Sequence, residues 1–306
     1  MDKVLVTGGA GFIGSHIVEM LLNNGFEVMV VDNISTGKSE NIPRGVTYYP
    51  IDILSQSLED VFKNESPQYV IHQAAQVSVT ASMENPVKDA RVNIIGTINI
   101  VELCRKYNIK KLIYVSSCAI YGDNGKQMIH EELQANPESF YGYSKLIPEM
   151  YIKMYSKLYN LNYTILRYSN VYGPRQRWDG EGGVVSIFIH QLLSNKTPVI
   201  YNDGEQTRDF IFVKDVARAN LKSLTEGCNE TINISYNHSI SINKLYECIK
   251  NITGVSRDAE FINGRPGEIR DSMVSNRKAE KLLNWTPVYS LSNGLKETVR
   301  HYKSNK

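Results

Sequence analysis

After Met1-Asp2 the chain runs Lys-Val-Leu-Val-Thr and then breaks into glycines. That apolar run, Lys3–Thr7, is short and nearly uninterrupted, the signature of a strand covered on both faces. From Phe12 to Asn24, Ile13, Ile17, Met20 and Leu21 recur every three or four residues, which predicts a helix with one buried face. Short apolar runs at Glu27–Asp32, Val46–Pro50, Tyr69–Gln73, Lys111–Ser116 and Tyr163–Arg167 predict five more strands. Helical spacing returns at Val87–Tyr107 and Tyr141–Tyr159. Strands alternating with helices predict a parallel sheet covered on both faces, a doubly wound α/β fold. After about Ser169 the rhythm loosens into glycine-containing loops at 180–183 and 202–205. The expected division is therefore a sheet domain over 1–168 and a smaller lobe over 169–306, some of whose segments return to the sheet.

Composition narrows the function classes. The 306 residues suffice for one large domain or two intimate ones. A net charge of +2 gives no nucleic-acid footprint. No apolar stretch approaches the roughly 20 residues of a membrane span, and no signal pattern opens the chain, so no membrane partner and a cytoplasmic setting are expected. The four cysteines (Cys104, Cys118, Cys228, Cys248) lack paired spacing and read as thiols of a reducing compartment. The six histidines are scattered, and no metal site is expected.

Gly8, Gly11 and Gly14 stand three apart between the first strand and the first helix. The chain must turn tightly there and let backbone approach a ligand, and the helix start at Phe12 and Ile13 offers unpaired N–H groups to a pyrophosphate. Asp32, about 20 residues on, closes the second strand and suits the two hydroxyls of an adenosine ribose. A 2′-phosphate would be repelled, so the expected cofactor is NAD on a Rossmann-type sheet. Asn33 follows Asp32, and Asp52-Ile53 end the third strand, where they could hold the adenine edge.

Tyr141 and Lys145 are four apart at the start of a predicted helix and share a face. A phenol of reference pKa near ~10 needs a neighbouring ammonium, or a positive nicotinamide ring, to serve as a base. The run Val115-Ser116-Ser117-Cys118-Ala119-Ile120-Tyr121-Gly122 ends the fifth strand at the edge where such folds bind ligands. A serine there can bond a reacting hydroxyl and relay its proton to Tyr141.

TGGAGFIGSH (7–16), HQAAQVSV (72–79), the run 116–122, YGYSK (141–145), LRYSNVYGPRQ (166–176), DGEQTRDFIFVKDVARA (203–219) and GRPGEIRDS (264–272) span almost the whole chain. Together they resemble the extended short-chain dehydrogenase/reductase family, and within it the UDP-galactose 4-epimerase group. The resemblance implies Ser117, Tyr141 and Lys145 as the catalytic set. It places His72, Ala74 and Ala75 in the loop lining the NAD diphosphate and ribose, and Asn93 beside the nicotinamide half. It implies that Asn170, Arg208 and Arg265 hold the diphosphate of a UDP-sugar, for which forked guanidinium groups are suited. Val199 and Tyr201 would pin the uracil. It also implies a homodimer in which helices Val87–Tyr107 and Tyr141–Tyr159 pair across a two-fold axis.

The members share an opening step, oxidation of sugar C4 to a ketone. Dehydratases then use an Asp-Glu pair just after the catalytic residue, and decarboxylases a nearby glutamate. Cys118 and Ala119 follow Ser117 here, so elimination lacks its acid and simple return of hydrogen to C4 is expected: a UDP-hexose 4-epimerase. Ser272 stands where a bulky tyrosine restricts some members to unacetylated hexoses, and leaves room for UDP-GlcNAc. Arg177 matches the arginine that meets the carboxylate in UDP-glucuronate 4-epimerases, although 178–184 departs from that group and Arg177 could equally pair with Asp179 or Glu181. UDP-glucuronate epimerisation, a dehydrogenase that releases NADH and a non-catalytic NAD-binding regulator are the alternatives.

Overall fold

The computed structural model describes residues 1–179, 182–264 and 269–304. Its main sheet holds β1 (Lys3–Thr7), β2 (Glu27–Val31), β3 (Thr47–Tyr49), β4 (Tyr69–His72), β5 (Lys111–Ser117) and β6 (Tyr163–Tyr168). A seventh strand, Glu230–Ile234, comes from far along the chain and pairs with β6. The order, edge to edge, is Glu230–Ile234, β6, β5, β4, β1, β2, β3, and every pair is parallel. This is the doubly wound α/β sheet expected from the alternation of strand and helix patterns.

Period-two alternation explains why the strand sequences are apolar throughout. Val4, Val6, Val28 and Val30 face one core with Ile17 and Leu21 of α1 (Phe12–Asn23). Leu5, Met29, Val31, Val70 and Leu112 face the other, with Phe62 of α2 (Leu58–Glu65). Beyond α2 come α3 (Val79–Glu84), α4 (Pro86–Ala90), a π-helical turn at Arg91–Ile95 and α5 (Gly96–Lys106). The pattern over Val87–Tyr107 therefore folds as three consecutive helical pieces. At Gly96 a β-carbon would stand 2.5 Å from Ile53 Cδ1, so glycine lets the Ile53 side chain pack directly on the helix backbone. The wide turn also carries Asn93 inward, where it is fully buried. Helix α6 (Phe140–Tyr159) starts at Ser139, whose hydroxyl accepts the Gly142 N–H at 3.1 Å.

The remaining chain forms β7 (Asn170–Tyr172), α7 (Val184–Leu193), β8 (Val199–Tyr201), β9 (Thr207–Phe212), α8 (Val213–Ser223), β10 (the Glu230–Ile234 strand), β11 (Ser239–Ser241), α9 (Ile242–Thr253), β12 (Glu260–Ile262), α10 (Arg277–Leu283) and α11 (Leu291–Ser304). Helix α8 packs on α1. Phe188, Phe210, Phe212 and Leu245 build a separate core, which Phe12 and Ile13 at the start of α1 also touch. The segment after β7 is tied to α1: His16 Nε2 meets the Pro174 carbonyl at 3.0 Å, and Arg175 donates to Ser15 Oγ at 3.0 Å and pairs with Glu19. These contacts hold the segment after β7 against the first turns of α1. Among the described residues no helix is long and apolar enough to cross a membrane.

Candidate active site

The turn after β1 is built for a ligand that contacts backbone. Gly8 has φ +72°, and a β-carbon there would lie 2.7 Å from the Ala74 nitrogen. At Gly14 a β-carbon would meet the Gly8 carbonyl oxygen at 2.0 Å. Gly11 caps α1 with no side chain of its own, which leaves the first N–H groups of the helix, at Phe12 and Ile13, uncapped by it. Beside them Asp32, 8% exposed, accepts the Ala10 N–H at 3.0 Å and the Ile34 N–H at 2.8 Å. Burial pushes its carboxyl up and these two bonds pull it back. Asn33 donates to Asp52 Oδ2 at 2.7 Å, joining the ends of β2 and β3. Ile53 is buried against Gly96. A cradle of bare backbone at a helix start, with a carboxylate held at the next strand end, fits the pyrophosphate and ribose of NAD.

The 72–79 stretch divides between ligand edge and scaffold. Ala74 abuts Gly8, and Ala75 is half-buried beside it. His72 is buried between Thr7 Oγ1 at 2.7 Å and Thr97 Oγ1 at 2.9 Å. Burial, with Lys145 nearby, lowers its imidazole to about 3. The unfolded chain takes up that proton near ~6.5, so this histidine's contribution to stability is present above that pH and is lost as pH falls toward 3. A proton NMR titration is expected to show His72 neutral down to pH 5; an ordinary midpoint would contradict its buried placement. Asn93 is likewise engaged with protein. Its carbonyl accepts the Gln76 N–H at 2.8 Å, and its amide donates to the Gln76 carbonyl at 2.9 Å and Ser144 Oγ at 2.9 Å.

Ser117 ends β5, and the start of α6 brings the Tyr141 side chain close to its hydroxyl. The Ser117 hydroxyl also accepts the Ala119 N–H at 3.1 Å, which fixes its rotamer. Burial pushes the Tyr141 phenol up, and the bond with Ser117 opposes that push. Lys145 lies one turn further along α6, 4% exposed, its ammonium 4.8 Å from the centre of the Tyr114 ring. Burial brings it down to about 8, against the pull of Glu149 and Asp89. The three candidates thus stand together at the carboxyl edge of the sheet.

Two buried carboxylates behind them were not singled out from the sequence. Glu149, 1% exposed, accepts Ser116 Oγ at 2.6 Å and takes Arg167 in a forked pair at 3.0 and 2.6 Å. Arg167 continues to Tyr121 OH at 2.7 Å, and Tyr121 to Asn233 of β10 at 2.8 Å. Removing one partner of such a pair costs about 3–5 kcal/mol, because the other charge stays buried. Asp89, also 1% exposed, accepts Gln76 Nε2 at 2.7 Å through Oδ1, while Oδ2 has no partner. For Glu149 the available signal was an acidic residue on the buried face of an apolar helix pattern, four places after Lys145.

The other proposed substrate residues lie after β6. Asn170 is exposed at the start of β7, next to β9, which carries Arg208. Arg208 donates to the Thr207 carbonyl at 2.8 Å. Val199 and Tyr201 are half-buried on β8, beside β12. Ser272 lines a cavity of about 250 Å³ with Gly125, Lys126, Thr207, Ser239 and Asp271. Arg177 forms a forked pair with Asp179 at 2.9 and 3.0 Å. Arg265 lies outside the described residues.

Residues 4–235 match the NAD dependent epimerase/dehydratase family. The chain superposes with a TM-score of 0.97 on the structure of a UDP-glucose 4-epimerase with UDP-glucose from Thermotoga maritima, at 43% identity and 99% coverage of both chains. With a UDP-N-acetylglucosamine 4-epimerase from Methanobrevibacter ruminantium, in complex with UDP-N-acetylmuramic acid, the TM-score is 0.95 at 37% identity, covering 100% of this chain and 99% of the other. A UDP-glucuronate 4-epimerase of Thermodesulfobacterium geofontis is 36% identical over 322 residues, 100% of this chain and 97% of the relative. The chain belongs to the NAD-dependent epimerase/dehydratase family, and is an enzyme of the epimerase class with NAD as its cofactor.

Proposed function

We propose that the protein is a UDP-hexose 4-epimerase that acts on UDP-glucose and UDP-galactose and also on their N-acetylated counterparts. The observation that carries this reading is the Ser117–Tyr141–Lys145 set followed by Cys118 and Ala119. It equips the site to take and return one hydroxyl proton and offers no acid for eliminating water. The three relatives named above, with three different sugars, are 4-epimerases, which supports inversion at C4.

NAD, when bound, accepts and gives back the C4 hydrogen, and its positive ring favours a phenolate at Tyr141. The chain's own part is the proton and the geometry. Tyr141 withdraws the C4 hydroxyl proton beside or through Ser117, and Lys145 holds positive charge against the phenolate. Arg208, Asn170 and Arg265 clamp the diphosphate while Val199 and Tyr201 hold the uracil. The 4-keto sugar turns about its bond to the diphosphate and presents its other face. Tyr141 then returns the proton.

The test is incubation of purified protein, without added reductant, with UDP-glucose, UDP-GlcNAc and UDP-glucuronate in turn, followed by proton NMR of the C4 epimers. Conversion of the first two is expected. The second reading, UDP-glucuronate, is favoured by Arg177. Its forked bond to Asp179 opposes that reading, because a sugar carboxylate would have to displace an intramolecular one. Conversion of glucuronate alone would establish it. The space beside Ser272 supports the N-acetyl substrates. Ser272→Tyr is expected to lower kcat/KM for UDP-GlcNAc by about tenfold or more while UDP-glucose changes little; equal effects on both would remove Ser272 from sugar selection.

The same reading includes a homodimer. The outward sides of α4–α5 and α6 expose Val87, Ile95, Phe140, Met150, Met154 and Leu158, with an open apolar groove between Val87, Ile95 and Phe140. Sedimentation is expected to give twice the 34.7 kDa chain mass, and Met150→Glu with Met154→Glu to give the single mass. A wild-type monomer would contradict this assembly.

A further inference from the structure

Behind the reactive trio, one buried side chain joins the strand that ends in Ser117 to the helix that carries Tyr141 and Lys145. Glu149 sits on α6 one turn beyond Lys145 and two beyond Tyr141. Its Oε1 receives the hydroxyl of Ser116, the residue before Ser117, at 2.6 Å. The bond is buried at both ends, so neither group has water as an alternative partner. The forked pair with Arg167 of β6 fixes the carboxylate itself, and Tyr121, which follows the Ser117 turn, braces Arg167 from the other side. β5, β6 and α6 therefore meet at one carboxylate, and the turn after Ser117 braces it through Arg167.

We infer that Glu149 is a positioning residue for the epimerisation: by holding Ser116 it sets the reach of the Ser117 hydroxyl to Tyr141, and by its charge it steadies the Lys145 ammonium. The inference rests on the proposed reading of that trio. Proton transfer depends on the Ser117–Tyr141 separation to within tenths of an ångström, and a misplacement of about 1 Å can lower a rate about a hundredfold. Substrate binding depends on the second lobe, which Glu149 does not touch, so its loss acts on kcat and leaves KM nearly unchanged.

Several groups face Lys145. Glu149 and Tyr141 share its helix, Asp89 approaches from α4, His72 from β4 and Tyr114 from β5. Only the two carboxylates are negative, and both favour the charged lysine against its burial. Glu149 is in turn answered by Arg167, and by Lys153 at 3.9 Å. Removing its charge makes Lys145 lose its proton at lower pH, so the basic limb of the kcat profile moves down. A merely structural brace would leave that limb in place.

The experiment compares wild type, Glu149→Gln and Ser116→Ala as holoenzymes, measuring kcat and KM for UDP-glucose from pH 5 to 10. Glu149→Gln keeps the volume and the acceptor for Ser116 and removes the charge; Ser116→Ala removes the tether and leaves the ion pair. For both, kcat is expected to fall about tenfold to a hundredfold with KM within about twofold. The basic limb should shift for Glu149→Gln alone. Wild-type kcat and an unmoved limb in the folded variants, or a loss confined to KM, would overturn the inference. If Glu149→Gln does not fold, Ser116→Ala decides. Should the wild type turn over no UDP-sugar, the proposed function fails by itself. Crystal structures of wild-type and Ser116→Ala holoenzymes then carry the test: a lengthened Ser117–Tyr141 separation supports the tether, and an unchanged one overturns it.

Discussion

Tyr141→Phe is expected to lower epimerisation by at least about two to four orders of magnitude while the purified protein keeps its NAD. Among the described residues the phenol stands at the end of β5 beside Ser117, placed to exchange a proton with a substrate hydroxyl, and positioned acid–base groups contribute about 10²–10⁴-fold. Phenylalanine preserves the ring and its packing. The lost hydroxyl costs about 1 kcal/mol at most, too little to unfold the protein. The glycine loop and Asp32 lie on other strands and are untouched, so cofactor retention should match wild type. NAD released on denaturation and the rate of UDP-galactose formation check both halves. Near-normal turnover would remove Tyr141 from the chemistry; loss of NAD would mean that the variant reports on binding instead.

Gly14→Ala is expected to abolish both retained NAD and turnover. The added carbon would stand 2.0 Å from the Gly8 carbonyl oxygen and 2.8 Å from the Gly8 carbonyl carbon. Both are backbone atoms, and Gly8 has little room to yield, because even a β-carbon on Gly8 would stand 2.7 Å from the Ala74 nitrogen. The first turn of α1 would have to move away from the end of β1, and with it the N–H groups offered to the pyrophosphate. Gly25→Ala is the control. Its φ of +79° makes alanine strained by roughly 1–2 kcal/mol, yet nothing lies within 4 Å of the added carbon. That variant should melt somewhat lower and keep its NAD. If both variants lose cofactor alike, global strain rather than the blocked cradle is the cause.

Much of the fold was legible because a buried parallel strand announces itself as an apolar run, and a glycine turn before a helix has few other uses. β1, β2, β4, β5 and β6 came from that signal within a residue or so at each end. The seventh strand did not stand out: Glu-Thr-Ile-Asn-Ile over 230–234 is ordinary alternation, and only the third dimension places it beside β6. Nor does spacing distinguish a long helix from α4, a π turn and α5, since all three place apolar residues every three or four positions. At the site, Tyr141 and Lys145 were visible because they are four apart on one helix. Glu149 has the same spacing from Lys145, but its partners Ser116 and Arg167 are 33 and 18 residues away, and a pairing of that kind leaves no local pattern. Arg177 shows the opposite limit. The sequence offered a sugar carboxylate or a neighbouring acid as its partner, and the fold brings it to Asp179, two residues on.

The central claim is that one hydrogen leaves C4 and the same hydrogen returns to the opposite face, with Tyr141 handling only the proton on oxygen. UDP-glucose deuterated at C4, incubated with purified protein in ordinary water without added cofactor, tests it in a single spectrum. The account predicts UDP-galactose that keeps its deuterium at C4, with no solvent hydrogen there and no accumulation of NADH. Protium at C4 of the product, or a keto sugar with NADH in place of an epimer, would contradict it.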